Sequence, residues 1–362
     1  MKQPHLRGSF ALALAMLLST GCAAEPLKEA AAPSPAITEP SRPGIELIYV
    51  PKTLDETAAI AKLVQDDFEI RAVLEQADSE ALQAAEAYRR AALNLRSAEG
   101  GPDSPAAKEE LAKLYKAAAE KVARYQGLIQ TQRDRYEDYL KKYPDDWYQR
   151  HRYAWFLADH HLEEEAADEW RRVIEQAPTF PYAYNNLGTL YNHMGRDLEA
   201  MMLYRKAIEL YPDDANFHLN LAVSYSTHRA EAMKQFGWDL PRVFHECILS
   251  YQRARALAPK DAEIAYDLAS QYVLAKFFDV QNTADEAVEA WKYYLALDLT
   301  PTQRAVGNRN LATICLKQKN DPAAAQKLLE EALPLMPGDG TLKMLLDQSK
   351  AAQTKPAEES EK

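Results

Sequence analysis

Residues 184–212 read YNNLGTLYNHMGRDLEAMMLYRKAIELYP, and the spacing inside that stretch decides the fold. Leu187 and Tyr191 stand four apart and share one face of a first helix, while Ala200, Tyr204 and Ala207 share one face of a second. Gly195 supplies the turn between them and Pro212 stops the second helix. Gly188 and Ala200 are small enough to let the two helices approach, and the aromatics fill the space toward a neighbouring pair. Pro144, Pro178 and Pro212 recur at intervals of 34 and 34 residues. A period of this length marks a unit that cannot bury its apolar face alone and must stack on copies of itself.

Looser copies flank the quoted one. Tyr153, Ala154, Leu157, Ala166, Trp170 and Pro178 precede it. Leu221, Ala222, Tyr225, Cys247, Tyr251, Ala254 and Pro259 follow, lengthened by 13 residues between the helices. A fourth unit has Leu268, Ala269, Tyr272, Ala287 and Trp291 and is stretched around KFFDVQNT; a fifth has Leu311, Ala312, Ala325, Leu329, Ala332 and Pro337. The spacing W-x₂-L-G-x₂-Y, then A-x₃-F, then P, met closely at residues 184–212, resembles the tetratricopeptide repeat. The resemblance covers residues 144–337. It implies an all-α, right-handed superhelix of about five helix pairs, closed by a capping helix at residues 338–352.

In that family the first helix of each unit lines an inner groove. Carried over by register, the first unit gives Tyr148, His151 and Trp155, and the second gives Tyr182, Asn185, Asn186, Thr189, Asn192 and His193. The third gives Asn216, Leu219, Asn220 and Val223, and the fourth Tyr266 and Ser270. Asparagine pairs with both groups of an extended peptide backbone, and aromatic side chains give contact area at low entropic cost. The other reading is that Asn186, Asn220 and Asn310 simply follow the repeat pattern. The basic side chains that hold a terminal carboxylate in chaperone-tail clamps are missing, with Asn216 and Asn220 at two of those places. The insertion RAEAMKQFGWDLP, 229–241, puts Phe236 and Trp238 on a loop, as a partner anchor or folded back over the lengthened pair.

Residues 47–143 carry a different pattern. Ile60, Leu74, Ala81, Tyr88 and Leu95 recur at multiples of seven, interleaved with Leu63, Ile70, Ala77, Ala84 and Ala91, and Asp67 interrupts the series. Beyond SAEGGPDSP, Leu111, Tyr115, Ala118, Val122, Tyr125, Ile129, Tyr136, Tyr139 and Tyr143 continue at steps of three and four, interrupted by Gln132. Such spacing predicts a long antiparallel helical hairpin with coiled-coil packing and arms of roughly 60 Å. Thr53 with Glu56 makes a capping box for the first arm, and Ser104-Pro105 starts the second. Alternatively QADSEA, 76–81, breaks the first arm and the region is degenerate repeat-like pairs.

At the start of the chain Lys2, His5 and Arg7 precede an apolar run, Phe10 to Leu18, about half the length that spans a bilayer. Residues 1–21 therefore read as an export signal. LLSTGC resembles the lipobox of bacterial lipoproteins, although Ser19 stands where that family has leucine. The resemblance implies cleavage before Cys22 and a lipid anchor on it, and Ala23 in place of aspartate implies the outer membrane, on its periplasmic side. Residues 22–46 read as an Ala/Pro-rich tether and 353–362 as a disordered tail. Losing the signal shifts the formal charge from −11 to −13, because it removes Lys2 and Arg7 and no acid. An acidic chain of this kind is unsuited to nucleic acid.

No catalytic motif stands out. DHHLEEE, 159–165, brings His160, His161, Glu164 and Glu165 together, which zinc chemistry could use, but it falls on the turn of the first unit, where solvated polar residues are expected. His245 lies near Cys247, yet Cys247 occupies a small, buried repeat position, and Cys315 an aromatic one in a non-neighbouring layer, so no disulfide is expected. The reading is a non-enzymatic adaptor without metal or cofactor that binds envelope proteins or peptide segments. It is to serve outer-membrane protein assembly, a pilus or a secretion machine; the alternative is an envelope spacer that self-associates through the hairpin.

Overall fold

The computed structural model describes Tyr49, residues 51–97 and residues 105–354. The signal, Cys22, the tether and residues 355–362 lie outside the described residues. Among the described residues every regular element is helical. The chain divides into two compact units, residues 1–194 and 195–362.

Unit one holds α1 (Leu54–Ser97), α2 (Pro105–Lys142), α3 (Trp147–Asp159), α4 (Glu163–Gln176) and α5 (Pro181–His193). Thr53 Oγ1 accepts from Glu56 N at 3.1 Å, but the Glu56 carboxylate reaches past Thr53 to Lys52 N and to the Tyr49 hydroxyl, each at 2.5 Å. QADSEA does not interrupt α1; its alanines are helix formers, and Gln76 braces the exposed side on Glu80 at 2.9 Å. The two long helices pair, burying Leu63, Ile70, Leu74, Ala77 and Ala81 with Ala118, Val122, Tyr125, Ile129 and Tyr136. After Ala81 the buried position is Ala85, with Ala84 only half-buried. A helix of 3.6 residues per turn drifts off a strict seven-residue step.

The hairpin is seated on the first repeat through α3. Tyr136 stacks on Tyr153 with centroids 5.1 Å apart, and the Tyr125 hydroxyl meets His160 Nδ1 at 2.9 Å. Asp146 caps α3 by accepting from Gln149 N at 3.0 Å, and the Tyr139 hydroxyl donates to it at 2.7 Å. Ala154 and Leu157 of α3 and Ala166, Trp170 and Val173 of α4 are buried where these helices pack, as the repeat spacing predicts.

Unit two runs α6 (Asp197–Leu210), α7 (Ala215–Thr227), α8 (Arg229–Phe236), α9 (Leu240–Leu257), α10 (Ala262–Leu274), α11 (Ala284–Leu295), α12 (Pro301–Lys317), α13 (Pro322–Ala332) and α14 (Gly340–Thr354). Gly195 enters it with φ +72°, the left-handed turn its position called for. Consecutive long helices pack in antiparallel succession, with Ala200, Tyr204, Tyr225, Tyr251, Trp291 and Leu329 buried between them. Where a loop was expected at 229–241, the structure has α8. The segment RAEAMKQF is made largely of helix-favouring residues, and Gly237 closes the helix in the left-handed region at φ +67°. The stretch in the fourth unit is a short 3₁₀ turn, Ala275–Phe278, whose Phe278 is buried 5.4 Å from Phe244. At the end α14 lays Leu342, Leu345 and Leu346 inward, which fits the capping helix expected there.

Candidate functional site

The repeat register sorts the predicted groove positions into two depths. In unit one, His151, Tyr182, Asn185, Asn186 and Thr189 are buried. His151 Nδ1 accepts from Trp170 Nε1 at 3.1 Å, and burial pushes its pKa down to about 3, so the ring is neutral. Asn185 Nδ2 donates to Asn186 Oδ1 at 3.2 Å, and Thr189 Oγ1 donates to the Asn185 carbonyl at 3.1 Å. These side chains serve the interior. Tyr148, Trp155 and Asn192 are half-buried and His193 is exposed.

Tyr148, Arg152, Trp155 and Asp159 follow one another at steps of four, three and four, so they form one accessible stripe on α3. The hairpin meets that stripe. Arg152 donates to Asp67 Oδ2 at 2.8 Å, and the Arg71 guanidinium lies 5.3 Å from the Trp155 ring centroid. Burial raises the Asp159 pKa, Arg71 and His161 work against that rise, and Glu75 and Asp78 add to it. Sequence reasoning missed Arg71 and Asp159. Their signal was the stripe complementary to the apolar series, which carries no repeat mark of its own.

In unit two the inner positions of α7 are Asn216, exposed, Leu219 and Val223, half-buried, and Asn220, buried. On α10 Tyr266 and Ser270 are half-buried, with Tyr266 edge-on to Trp291 at 5.3 Å. Ser226 of α7 donates to Gln271 of α10 at 2.6 Å, which holds the two helices in register. Between Tyr266 and Ser270 sits Asp267, another residue missed in the sequence. Burial, reinforced by Glu263 and Asp261, pushes its carboxyl up to about 6.

Phe236 and Trp238 stack on each other at 4.5 Å and both approach Tyr225, with the Arg205 guanidinium 4.9 Å from the Phe236 ring. They are half-buried against α7. A cleft of about 760 Å³ beside α11 is lined by Arg255, Tyr272, Glu286 and Tyr293, among others, but Asp285 and Lys292 on its wall are already bonded to Lys319 and Glu289.

The groups with chemical potential are packed away. His160 is held on Tyr125, and burial lowers its pKa to about 4. His161 takes the left-handed turn at φ 59°. Cys247 Sγ donates to the Ala222 carbonyl at 3.4 Å, burial raises the pKa of both described thiols, and neither is in a disulfide. Among the described residues no group of three His, Cys, Asp or Glu could hold a metal ion, and no helix is long and apolar enough to cross a membrane.

Helix pairs at a repeat spacing define a helical-repeat protein. Residues 181–214 and 203–236 match two family models, each described as a tetratricopeptide repeat. Among solved structures it is similar to YrrB, described as a tetratricopeptide-repeat protein with an unusual peptide-binding site, at 18% identity over 60% of this chain and 97% of that one, with a TM-score of 0.45. It is also similar to PilF of Pseudomonas aeruginosa, at 14% identity over 62% and 90% with a TM-score of 0.43. A repeat protein of Parabacteroides merdae aligns at 15% identity over 81% and 99% with a TM-score of 0.35. These likenesses concern the repeat fold alone. No curated protein matches the chain significantly.

Proposed function

We propose that this protein is an adaptor whose first helices bind a segment of another protein, and that Cys22 tethers it by lipid to the bacterial envelope, at the periplasmic face of the outer membrane. The observation that carries the reading is the split in depth. The repeat's hallmark residues Leu187, Tyr191, Ala200 and Tyr204 are buried, while Tyr148, Trp155, Asn192, Leu219, Val223 and Tyr266 keep accessible surface on the first-helix register. Large aromatic and amide side chains left accessible on helices suit recognition of an extended chain.

The test is in-cell photo-crosslinking from Tyr148, followed by mass spectrometry. Defined partners crosslink and are lost when Trp155→Ala is combined with Asn192→Ala. A crosslinking pattern unchanged by that pair of substitutions removes the groove from the reading. Metabolic labelling with an alkyne fatty acid tests the anchor: Cys22→Ala abolishes the label, and a label that persists places the lipid elsewhere.

A second reading rests on the hairpin arms, where Leu93 is 52% and Tyr115 40% exposed. A structural spacer would self-associate there. Sedimentation equilibrium of the full chain separates the two readings, a monomer counting against the spacer.

A further inference from the structure

The hairpin puts a second row of side chains beside the accessible stripe of the first repeat. Val64, Phe68, Arg71 and Glu75 are spaced by four, three and four residues, so they share one side of α1. This side is set apart from the buried seam of Leu63, Ile70 and Leu74. Its place in the molecule is fixed by Arg71, whose guanidinium lies 5.3 Å from the centroid of Trp155, and by the neighbouring Asp67, bonded to Arg152 at 2.8 Å. The row on α1 and the stripe on α3 thus adjoin.

Two observations show that this surface is unfinished. Phe68 is 77% exposed and Val64, one turn away, 38%. A lone exposed apolar residue is ordinary, but an aromatic and a valine one turn apart make a patch that loses water when covered. The Trp155 indole N–H is also buried without a hydrogen-bond partner. The second observation is charge: the carboxylates of Glu75, Asp78, Asp159 and Asp67 share this region with two guanidiniums, that of Arg71 beside the Trp155 ring and that of Arg152 bonded to Asp67, and with His161. The local balance is negative and one of the carboxylates, Asp159, is partly desolvated, so a cation from outside would be drawn in.

We propose that the first helix of the hairpin is one wall of the binding surface of unit one, where Val64 and Phe68 receive an apolar side chain and Glu75 with Asp159 a neighbouring Lys or Arg from a segment of a partner protein. This rests on the adaptor reading above and extends it from the repeats to the hairpin. It also names the partner's chemistry: a basic residue beside an apolar one, in place of the free carboxylate that chaperone-tail clamps hold. Because Phe68 is largely exposed, its removal leaves the fold intact and acts on binding alone.

Panning a phage-displayed library of random dodecapeptides on the immobilised full chain supplies the probe. Enriched peptides are then synthesised with a fluorescent label and titrated by anisotropy against the wild type, Phe68→Ser, Glu75→Lys and Asn192→Ala, with circular dichroism confirming each fold. Enriched peptides carry Lys or Arg next to Leu, Ile, Phe or Trp, and both α1 variants bind them about tenfold more weakly or worse. Peptides that lose affinity with Asn192→Ala but ignore both α1 variants overturn the hairpin wall and leave the adaptor reading standing. Enrichment of acidic peptides overturns the assigned chemistry, and no enrichment at all overturns both.

Discussion

Gln132 Nε2 donates to Asp67 Oδ1 at 3.1 Å, joining the two residues that interrupt the apolar series of α1 and α2. Gln132 is 0% exposed, and its own Oε1 accepts from Arg135 at 3.1 Å. Asp67 takes Arg152 of α3 on its second oxygen at 2.8 Å. The two interruptions are therefore one polar joint that fixes the hairpin's register and seats it on the first repeat, the way a single buried polar residue fixes register in a coiled coil.

Removing one partner of this joint strands the others. Asp67→Leu takes from Arg152, whose side chain is mostly buried, its 2.8 Å bond to Asp67 Oδ2 and takes from Gln132 its acceptor. We expect a loss of about 2–4 kcal/mol in urea unfolding of the full chain. Adding Gln132→Leu recovers about 1 kcal/mol, because one of the stranded groups is gone. Strict additivity of the two changes would show that the joint does not act as a unit.

Histidine burial gives unit one a pH dependence with a definite sign. His160 in the fold titrates at about 4 and His151 at about 3, both held down by burial, whereas an unfolded histidine takes its proton near 6.5. Below about 6.5 the unfolded chain binds more protons, so stability is lost as pH falls toward 4 for His160 and toward 3 for His151. The slope approaches about 1.4 kcal/mol per pH unit for each ring. The raised carboxyls of Asp146 and Asp159 act in the opposite direction, so the comparison must be made between variants. Melting curves at pH 7 and pH 5 show a smaller drop for His160→Gln than for the wild type.

The insertion helix tests backbone conformation at a site where an added side chain has room. At Gly237 the backbone is left-handed, φ +67°, and a Cβ added there meets nothing within 4 Å. Gly237→Ala therefore costs about 1 kcal/mol through backbone conformation alone. It also loosens the seat of Phe236 and Trp238 on Tyr225, so their tryptophan emission shifts to the red in the folded protein. An unchanged melting temperature would mean that α8 does not depend on this cap.

What the sequence showed and hid follows from the range of each signal. Leu187, Tyr191, Ala200 and Tyr204 mark their helix faces within one repeat, so the pairs are legible. The Asp67–Gln132 bond spans 65 residues of chain, and each half alone reads as a defect. Ala84 was expected in the seam where Ala85 lies, because a seven-residue count ignores the drift of a straight helix. RAEAMKQF breaks the repeat spacing and so reads as loop, yet its residues favour helix. On the inner face, register gives the direction of a side chain but not its depth. That is why Trp155 and Asn192 keep surface while Asn185, Asn186 and Thr189, on the same predicted strip, are inside.

Gly307 is where depth matters most in unit two. A Cβ built on it would lie 2.8 Å from both Leu295 Cδ2 and Tyr294 Cε1, so α11 and α12 touch across the missing side chain. Tyr294 is buried, its ring stands edge-on to Trp291 at 5.6 Å, and it cannot swing aside without disturbing that pair. In an exposed helix interior, glycine to alanine would gain about 1 kcal/mol of helix propensity. Here the overpacking outweighs that gain, and Gly307→Ala destabilises by a net of about 1–2 kcal/mol. Tyr294→Phe leaves the clash in place, since the contact is to the ring edge, while Leu295→Ala relieves half of it. A melting temperature that rises in Gly307→Ala would show that the two helices part at little cost.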